Sequence, residues 1–145
     1  MNAGWFKAAA PSTSEQTAMK KKLRSGGPGV LNVFTVSFDT TDGLLGYSEF
    51  PASYHDDPTN DGVTLRYSTL PGGTYTRFNL GRTATHEVGH WVGLYHTFEG
   101  GCDGQGDHVS DTPPEATPAS GCPSKRDTCK PNAGLDRKPF DSPLA

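Results

Sequence analysis

The sequence predicts an α+β domain, because two helix-like segments enclose a group of short strand-like runs. The helix-like segments span residues 11–24 and 80–94, and each repeats its apolar residues at helical spacing. The strand-like runs are rich in β-branched, aromatic and leucine side chains. These runs are residues 30–38, 43–50 and 63–69.

The first helix-like segment begins with serine and threonine residues that favour a helix N-terminus, and the glycine-rich run 25–29 ends it. Its apolar stripe is thin, with Ala18, Met19 and Leu23. The three lysines at 20–22 are expected to form a solvated face, since charge runs are usually exposed.

The three strand-like runs differ in their patterns. Residues 30–38 are mostly apolar, which predicts a central strand covered on both faces. Residues 43–50 carry two glycines and end at Pro51, which is typical of a bulged edge strand. Residues 63–69 alternate as a third strand would, and the glycine-containing run 70–73 predicts a turn.

The second helix-like segment is expected to turn Ala84, Val88, Trp91 and Val92 towards the core, while His86 and His90 face elsewhere. After Glu99 the periodicity disappears, and glycine, proline, aspartate, serine and cysteine dominate. Such a segment buries little apolar area, so we expect covalent or metal cross-links to hold it.

Composition excludes several classes of function. The chain has 145 residues and a net charge of −3, and no basic stripe suggests a nucleic-acid partner. No apolar run reaches membrane-spanning length, and the N-terminus lacks the pattern of a signal peptide. The three cysteines favour a disulfide and an oxidising compartment. Cys102, Cys122 and Cys129 allow three pairings, each of which leaves one thiol.

Residues 86–96 read H-E-x-x-H-x-x-G-x-x-H, which predicts a metal site. His86 and His90, four residues apart on a helix, can reach one ion. Gly93 permits a sharp turn that returns His96 as a third ligand. Three imidazoles and one open position are typical of catalytic zinc rather than structural zinc. The alternative is ordinary histidines on an amphipathic helix, which the extended motif disfavours.

Several runs occur in the order of a known family. They are residues 43–47 (GLLGY), 70–73 (LPGG), 79–85, the motif itself, 97–102 and 106–113. Together, across residues 31–136, the chain resembles the pappalysin family of metzincins, in particular the secreted fungal metalloproteases. The resemblance implies a twisted mixed sheet with a backing helix and an active-site helix, followed by an irregular segment stapled by a disulfide and calcium.

The resemblance also implies a secreted zinc endopeptidase that hydrolyses peptide bonds through a metal-activated water. His86, His90 and His96 would bind the zinc, and Glu87 would act as the general base. The protein or peptide substrate would bind extended along an edge strand, for which residues 43–50 are the candidate. No nucleic acid and no membrane are expected as partners.

Further implications of the resemblance concern the segment after the motif. It pairs Cys102 with Cys129. It leaves Cys122 unpaired, because in the family the partner of this cysteine lies in a downstream segment that the sequence does not contain. Asp107, Asp111 and the Val109 carbonyl are candidate calcium ligands, against the alternative of a solvated acidic loop. The remaining histidines, His55 and His108, are expected at the surface.

Two departures from the family pattern stand out. Both methionines, Met1 and Met19, precede the motif, whereas metzincins place a methionine turn after it, and no tyrosine follows Tyr95. The pattern breaks near residue 136, so we expect a catalytic domain at 1–136 with an incomplete lower subdomain, and a divergent, disordered tail at 137–145. The alternative function is therefore a truncated, inactive or weakly active zinc-binding form of the protease.

Overall fold

The computed structural model describes residues 2–121, 123 and 126–129, which form two compact units. The first unit ends at Gly93 and the second begins at Leu94. In the first unit the helices are α1 (Ala3–Ala8), α2 (Ser14–Leu23) and α3 (Arg82–Trp91), and the strands are β1 (Val33–Val36), β2 (Gly46–Ser48) and β3 (Val63–Arg66). Short 3₁₀ turns lie at Pro51–Tyr54 and Tyr67–Thr69 in this unit, and at Gly101–Asp103 in the second.

The strands form a three-stranded mixed sheet in the order β1-β3-β2. β1 runs parallel to β3 with Val33 opposite Val63, and β2 runs antiparallel to β3 with Gly46 opposite Leu65. The α+β class with a mixed sheet is therefore confirmed. β2 lies at an edge of the described sheet, as its glycines and Pro51 predicted.

The prediction that β1 is central and covered on both faces is wrong. β1 lies at the other edge of the described sheet, and its burial alternates, with Val33 51% exposed and Phe34 buried. β3 takes the central position, and its Val63, Thr64 and Leu65 are all buried. The strand predicted at residues 63–69 forms but is shorter, because the chain continues as a 3₁₀ helix after Arg66, and its burial does not alternate.

The core of the first unit lies between the sheet and the two N-terminal helices. Its buried members are Ala9, Met19, Phe34, Val36 and Phe38. α1 was not predicted, and it is capped by the Asn2 side chain, which accepts from the amides of Gly4 and Trp5. α1 is hydrogen-bonded to the chain just after β1, since the Ser37 amide donates to Phe6 O at 2.7 Å.

Lys20 of α2 is fully buried, so its assignment to a solvated face is wrong, whereas Lys21 and Lys22 are exposed. Its Nζ donates to the carbonyls of Asn60 at 2.6 Å and Gly62 at 3.4 Å. The same Nζ lies 5.1 Å from the centre of the Tyr47 ring. Burial lowers the pKa of Lys20 to about 8.

The second unit is held by cross-links rather than by regular elements. A disulfide joins Cys102 to Cys129, with 5.3 Å between their Cα atoms, so the expectation of a disulfide is confirmed. The buried Glu115 carboxylate pairs with Arg126, and the Ala116 amide donates to Thr128 Oγ1 at 3.0 Å. Cys122 and residues 137–145 lie outside the described residues. Among the residues described, no helix combines the length and the apolar character needed to cross a bilayer.

Candidate metal centre

α3 carries the first two histidines of the motif and ends as the motif requires. Its last turn is closed by the amide of Gly93, which donates to His90 O at 2.9 Å. Gly93 has a φ of 99°, in the left-handed region that a residue with a Cβ resists. The chain therefore leaves the helix at Gly93, three residues before His96.

The buried side of α3 is polar. Thr83, Glu87 and His90, which lie three or four residues apart, are buried. Ala84, Val88 and Trp91 are only half-buried and Val92 is 58% exposed, so the prediction of their core-facing side is wrong. The buried position of His90 likewise contradicts the expectation that it faces away from the core.

Close approach of β2 to α3 explains this polar burial. A Cβ on Gly46 would lie 2.9 Å from Glu87 Cγ and 3.0 Å from Thr83 Cγ2. Real Cβ atoms do not approach neighbours this closely, so Gly46 allows the strand to pass directly over the Glu87 side chain. β2 thus shields the carboxylate from water.

The three motif histidines come together. The Nε2 atoms of His86 and His90 are 2.9 Å apart, and their rings meet edge to face at 4.5 Å between centroids. One ring nitrogen from each of His86, His90 and His96 lies within 4.8 Å of the other two. Nitrogen ligands of a tetrahedral zinc lie about 3.3 Å apart, given Zn–N bonds of about 2.0–2.1 Å. Among the described residues this is the only group of three potential metal-binding side chains.

The surroundings of the histidines suit both metal binding and acid–base chemistry. The Phe50 ring packs 5.2 Å from the His90 ring. Glu87 is 3% exposed, and its burial raises the pKa of the carboxyl to about 7. A carboxyl with a pKa near neutrality can both accept and release a proton at physiological pH.

The candidate calcium residues lie in the second unit. Asp107 Oδ1 accepts from the Val109 amide at 2.9 Å, and Asp111 is exposed. This is a turn of the kind that aspartate forms without any ion, so calcium stays a prediction. Both remaining histidines are exposed: the His55 ring lies beside Asp56, and the His108 ring packs against Tyr95.

A known protein family matches the part of the chain that contains these residues. A family model described as peptidase M43, pregnancy-associated plasma protein-A, matches residues 15–134. The chain belongs to this pappalysin family. The resemblance inferred from the sequence motifs is confirmed, and the matched residues include the whole histidine motif and Glu87.

Similar pappalysin-type proteins are named extracellular metalloproteases. One from Verticillium alfalfae is 49% identical over 140 residues, which are 94% of this chain and 47% of that protein. Another from Pyricularia oryzae is 51% identical over 137 residues, which are 94% of this chain and 46% of that protein. The chain therefore spans about half the length of the curated relatives it matches.

A solved structure shares the fold. Mature mirolysin of Tannerella forsythia, in complex with a cleaved peptide, superposes with a TM-score of 0.69 and 34% sequence identity. The match covers 85% of this chain and 49% of the mirolysin chain. The metzincin-like arrangement that the motifs implied is thus found in a structure of recognisable sequence similarity.

Proposed function

We propose that this pappalysin chain carries the zinc centre of a secreted endopeptidase, which hydrolyses peptide bonds in an extended substrate. The observation that carries the proposal is the convergence of three imidazole nitrogens within 4.8 Å, with the buried carboxylate of Glu87 on the helix that carries His86 and His90. Metal-assisted hydrolysis needs neutral imidazoles that bind the metal and a carboxylate beside them that can accept a proton.

The donor set fits zinc. His86, His90 and His96 would hold the ion, since three neutral nitrogens leave the open position of a catalytic site. When bound, zinc supplies Lewis acidity, which polarises a carbonyl and makes water a stronger acid. The short distance between the two Nε2 atoms on α3 supports this assignment, because both nitrogens can reach the same ion.

Glu87 is the proposed general base and, later in the reaction, the general acid. Its carboxylate would take the proton from the attacking water and deliver it to the leaving amine. The side chain is confined between α3 and Gly46 of β2, which limits its rotation. Burial favours the protonated form, and this makes the carboxylate a stronger base for capture of the proton.

The substrate would add to the edge strand within residues 43–50. β2 is an edge of the described sheet, and its Gly46 contacts the Glu87 side chain, so a peptide paired with this strand would pass close to the base. Addition of a strand to a sheet edge gives backbone hydrogen bonds that do not depend on the peptide sequence.

Other parts of the proposal concern the rest of the chain. We place the catalytic domain at residues 1–136 and regard 137–145 as a divergent tail. Asp107, Val109 and Asp111 are proposed calcium ligands on the basis of the resemblance to the family. The extracellular names of the relatives and the disulfide support secretion.

A pair of glutamate variants tests the proposal. Glu87→Gln should retain zinc, measured by elemental analysis, and lose at least about 10²-fold in hydrolysis of a quenched peptide, because general-base removal costs this much. Glu15→Gln on α2 is the control and should behave as the parent chain. Zinc binding without hydrolysis in the parent chain would favour the inactive zinc-binding form, and absence of zinc would overturn the centre itself.

A further inference from the structure

Asp61, which precedes β3, connects α2 to α3 through its two carboxylate oxygens. Oδ1 accepts a hydrogen bond from Trp91 Nε1 at 2.8 Å. Oδ2 accepts from Arg24 Nη2 at 2.8 Å and from Arg24 Nε at 3.2 Å. The aspartate is 5% exposed, so these bonds are shielded from water and are stronger than their surface counterparts.

The backbone around Asp61 is fixed from both sides. Lys20 Nζ binds the carbonyls of Asn60 and Gly62, the residues immediately before and after the aspartate. Gly62 has a φ of 108°, and a Cβ there would lie 2.7 Å from Asn32 O. The backbone on both sides of Asp61 is therefore held by α2 and by the residue before β1.

Trp91 is the last residue of α3 and directly follows His90. Its indole N–H is anchored to Asp61, while its amide belongs to the last turn of the helix. A tether on this side chain limits rotation of that turn about the helix axis. Since His90 lies on the same turn, the tether also limits the position of the His90 ring.

We propose that Asp61 is a positioning residue for the metal centre, which acts through Trp91 on the end of α3 and hence on His90 and the Gly93 turn. The inference rests on the proposed zinc centre. Lys20 of α2 and Arg24, the residue that follows α2, complete the support, because one holds the backbone and the other holds the carboxylate. A purely structural network would stabilise the fold without any specific effect on metal affinity.

The two tryptophans of the chain provide a matched pair of variants. Trp91→Phe removes the indole N–H and keeps an aromatic ring. Trp5→Phe makes the same change in α1, where Trp5 packs against the hydrophobic core. Both variants are compared with the parent chain in thermal unfolding, in Zn²⁺ affinity by competition with a chromophoric chelator, and in the visible spectrum of bound Co²⁺.

Trp91→Phe should weaken Zn²⁺ binding by about tenfold. This is the low end of the effect of residues that orient metal ligands, because Trp91 acts on His90 only through the helix backbone. The Co²⁺ spectrum should change in band shape or intensity, because the ligand geometry relaxes. Trp5→Phe should leave affinity and spectrum unchanged even where it lowers the unfolding temperature. Equal Zn²⁺ affinity in the two variants would overturn the positioning role.

A double-mutant cycle with Asp61→Ala identifies the route of the effect. If Asp61 acts through Trp91, then Trp91→Phe should have little further effect on Zn²⁺ affinity in the Asp61→Ala background. Fully additive losses would contradict that route. Failure of the parent chain to bind Zn²⁺ or Co²⁺ would instead refute the metal centre on which the inference rests, so the two failures are distinguishable.

Discussion

At the scale of single residues, the pKa of Glu87 depends on surroundings that the motif alone does not reveal. The sequence placed a carboxylate beside His86, but it did not reveal that β2 would bury this group. Burial depends on Gly46, whose missing side chain leaves the space that the Glu87 methylene groups occupy. Burial then raises the pKa of Glu87 to about 7, into the range where a general base can also act as an acid.

Replacement of Gly46 tests this dependence. Gly46→Ala would place a methyl group 2.9 Å from Glu87 Cγ, so the strand or the glutamate must move. We expect a loss of about 1–3 kcal/mol in the free energy of unfolding, which is typical of overpacking. We also expect at least about tenfold slower peptide hydrolysis, because small displacements of positioned groups are costly.

Gly29→Ala is the control for this change, because a Cβ at Gly29 meets no atom within 4 Å. Chemical denaturation and hydrolysis of a quenched peptide are measured for both variants. Parent-like turnover in Gly46→Ala would show that Glu87 tolerates displacement, and the close approach of β2 would then have no catalytic importance.

At the scale of elements, the sequence identified most of the helices and strands but not their neighbours. α2 and α3 lie inside the segments predicted from periodicity, and all three strands lie inside the predicted runs. The apolar run at 30–38 resembled a covered strand, yet β1 is an edge strand in the described sheet. Strand order depends on long-range pairing, which a local pattern does not contain.

The buried lysine of α2 escaped prediction for a related reason. Three successive lysines give no indication that one of them faces inward, and the carbonyls that receive its ammonium lie forty residues away. Asp61 was missed in the same way, because its partners are the residue after α2 and the last residue of α3. A local motif such as that of residues 86–96 can be recognised in the sequence, whereas hydrogen bonds between residues far apart in the chain cannot.

Lys20 gives α2 a stability that depends on pH. Burial lowers its pKa from 10.5 to about 8, so between these values the unfolded chain keeps a proton that the folded chain has lost. The contribution of this group to the free energy of unfolding therefore rises with pH across that window. The upper bound on the rise is about 3 kcal/mol.

Comparison with Lys20→Met isolates the effect. The unfolding free energy of the parent chain, minus that of the variant, should increase from pH 8 to pH 10 in urea titrations. Lys21→Met, at an exposed position, should give a difference that does not change with pH. A Lys20 difference that stays flat or falls over this range would mean that the ammonium remains charged on its carbonyl partners.

At the scale of the whole molecule, the two units derive their stability from different sources. The first unit has a sheet, three helices and an apolar core. The second depends on the disulfide, the buried pair of Glu115 with Arg126, and turns. The sequence indicated this contrast through the loss of periodicity after Glu99. The pairing of the cysteines could not be chosen from spacing alone, because three connectivities were open.

The disulfide should therefore stabilise the second unit selectively. Cys102 and Cys129 are 27 residues apart, and closing a loop of this size contributes about 3–4 kcal/mol in the chain-entropy model. Cys102→Ser should abolish protection from amide hydrogen exchange in residues 94–121, while the sheet residues of the first unit stay protected. Cys122→Ser is the matched control, since the resemblance to pappalysins leaves this cysteine without a partner. Equal loss of protection in the control, or a Cys122 link in non-reduced peptide maps, would contradict the assigned pairing.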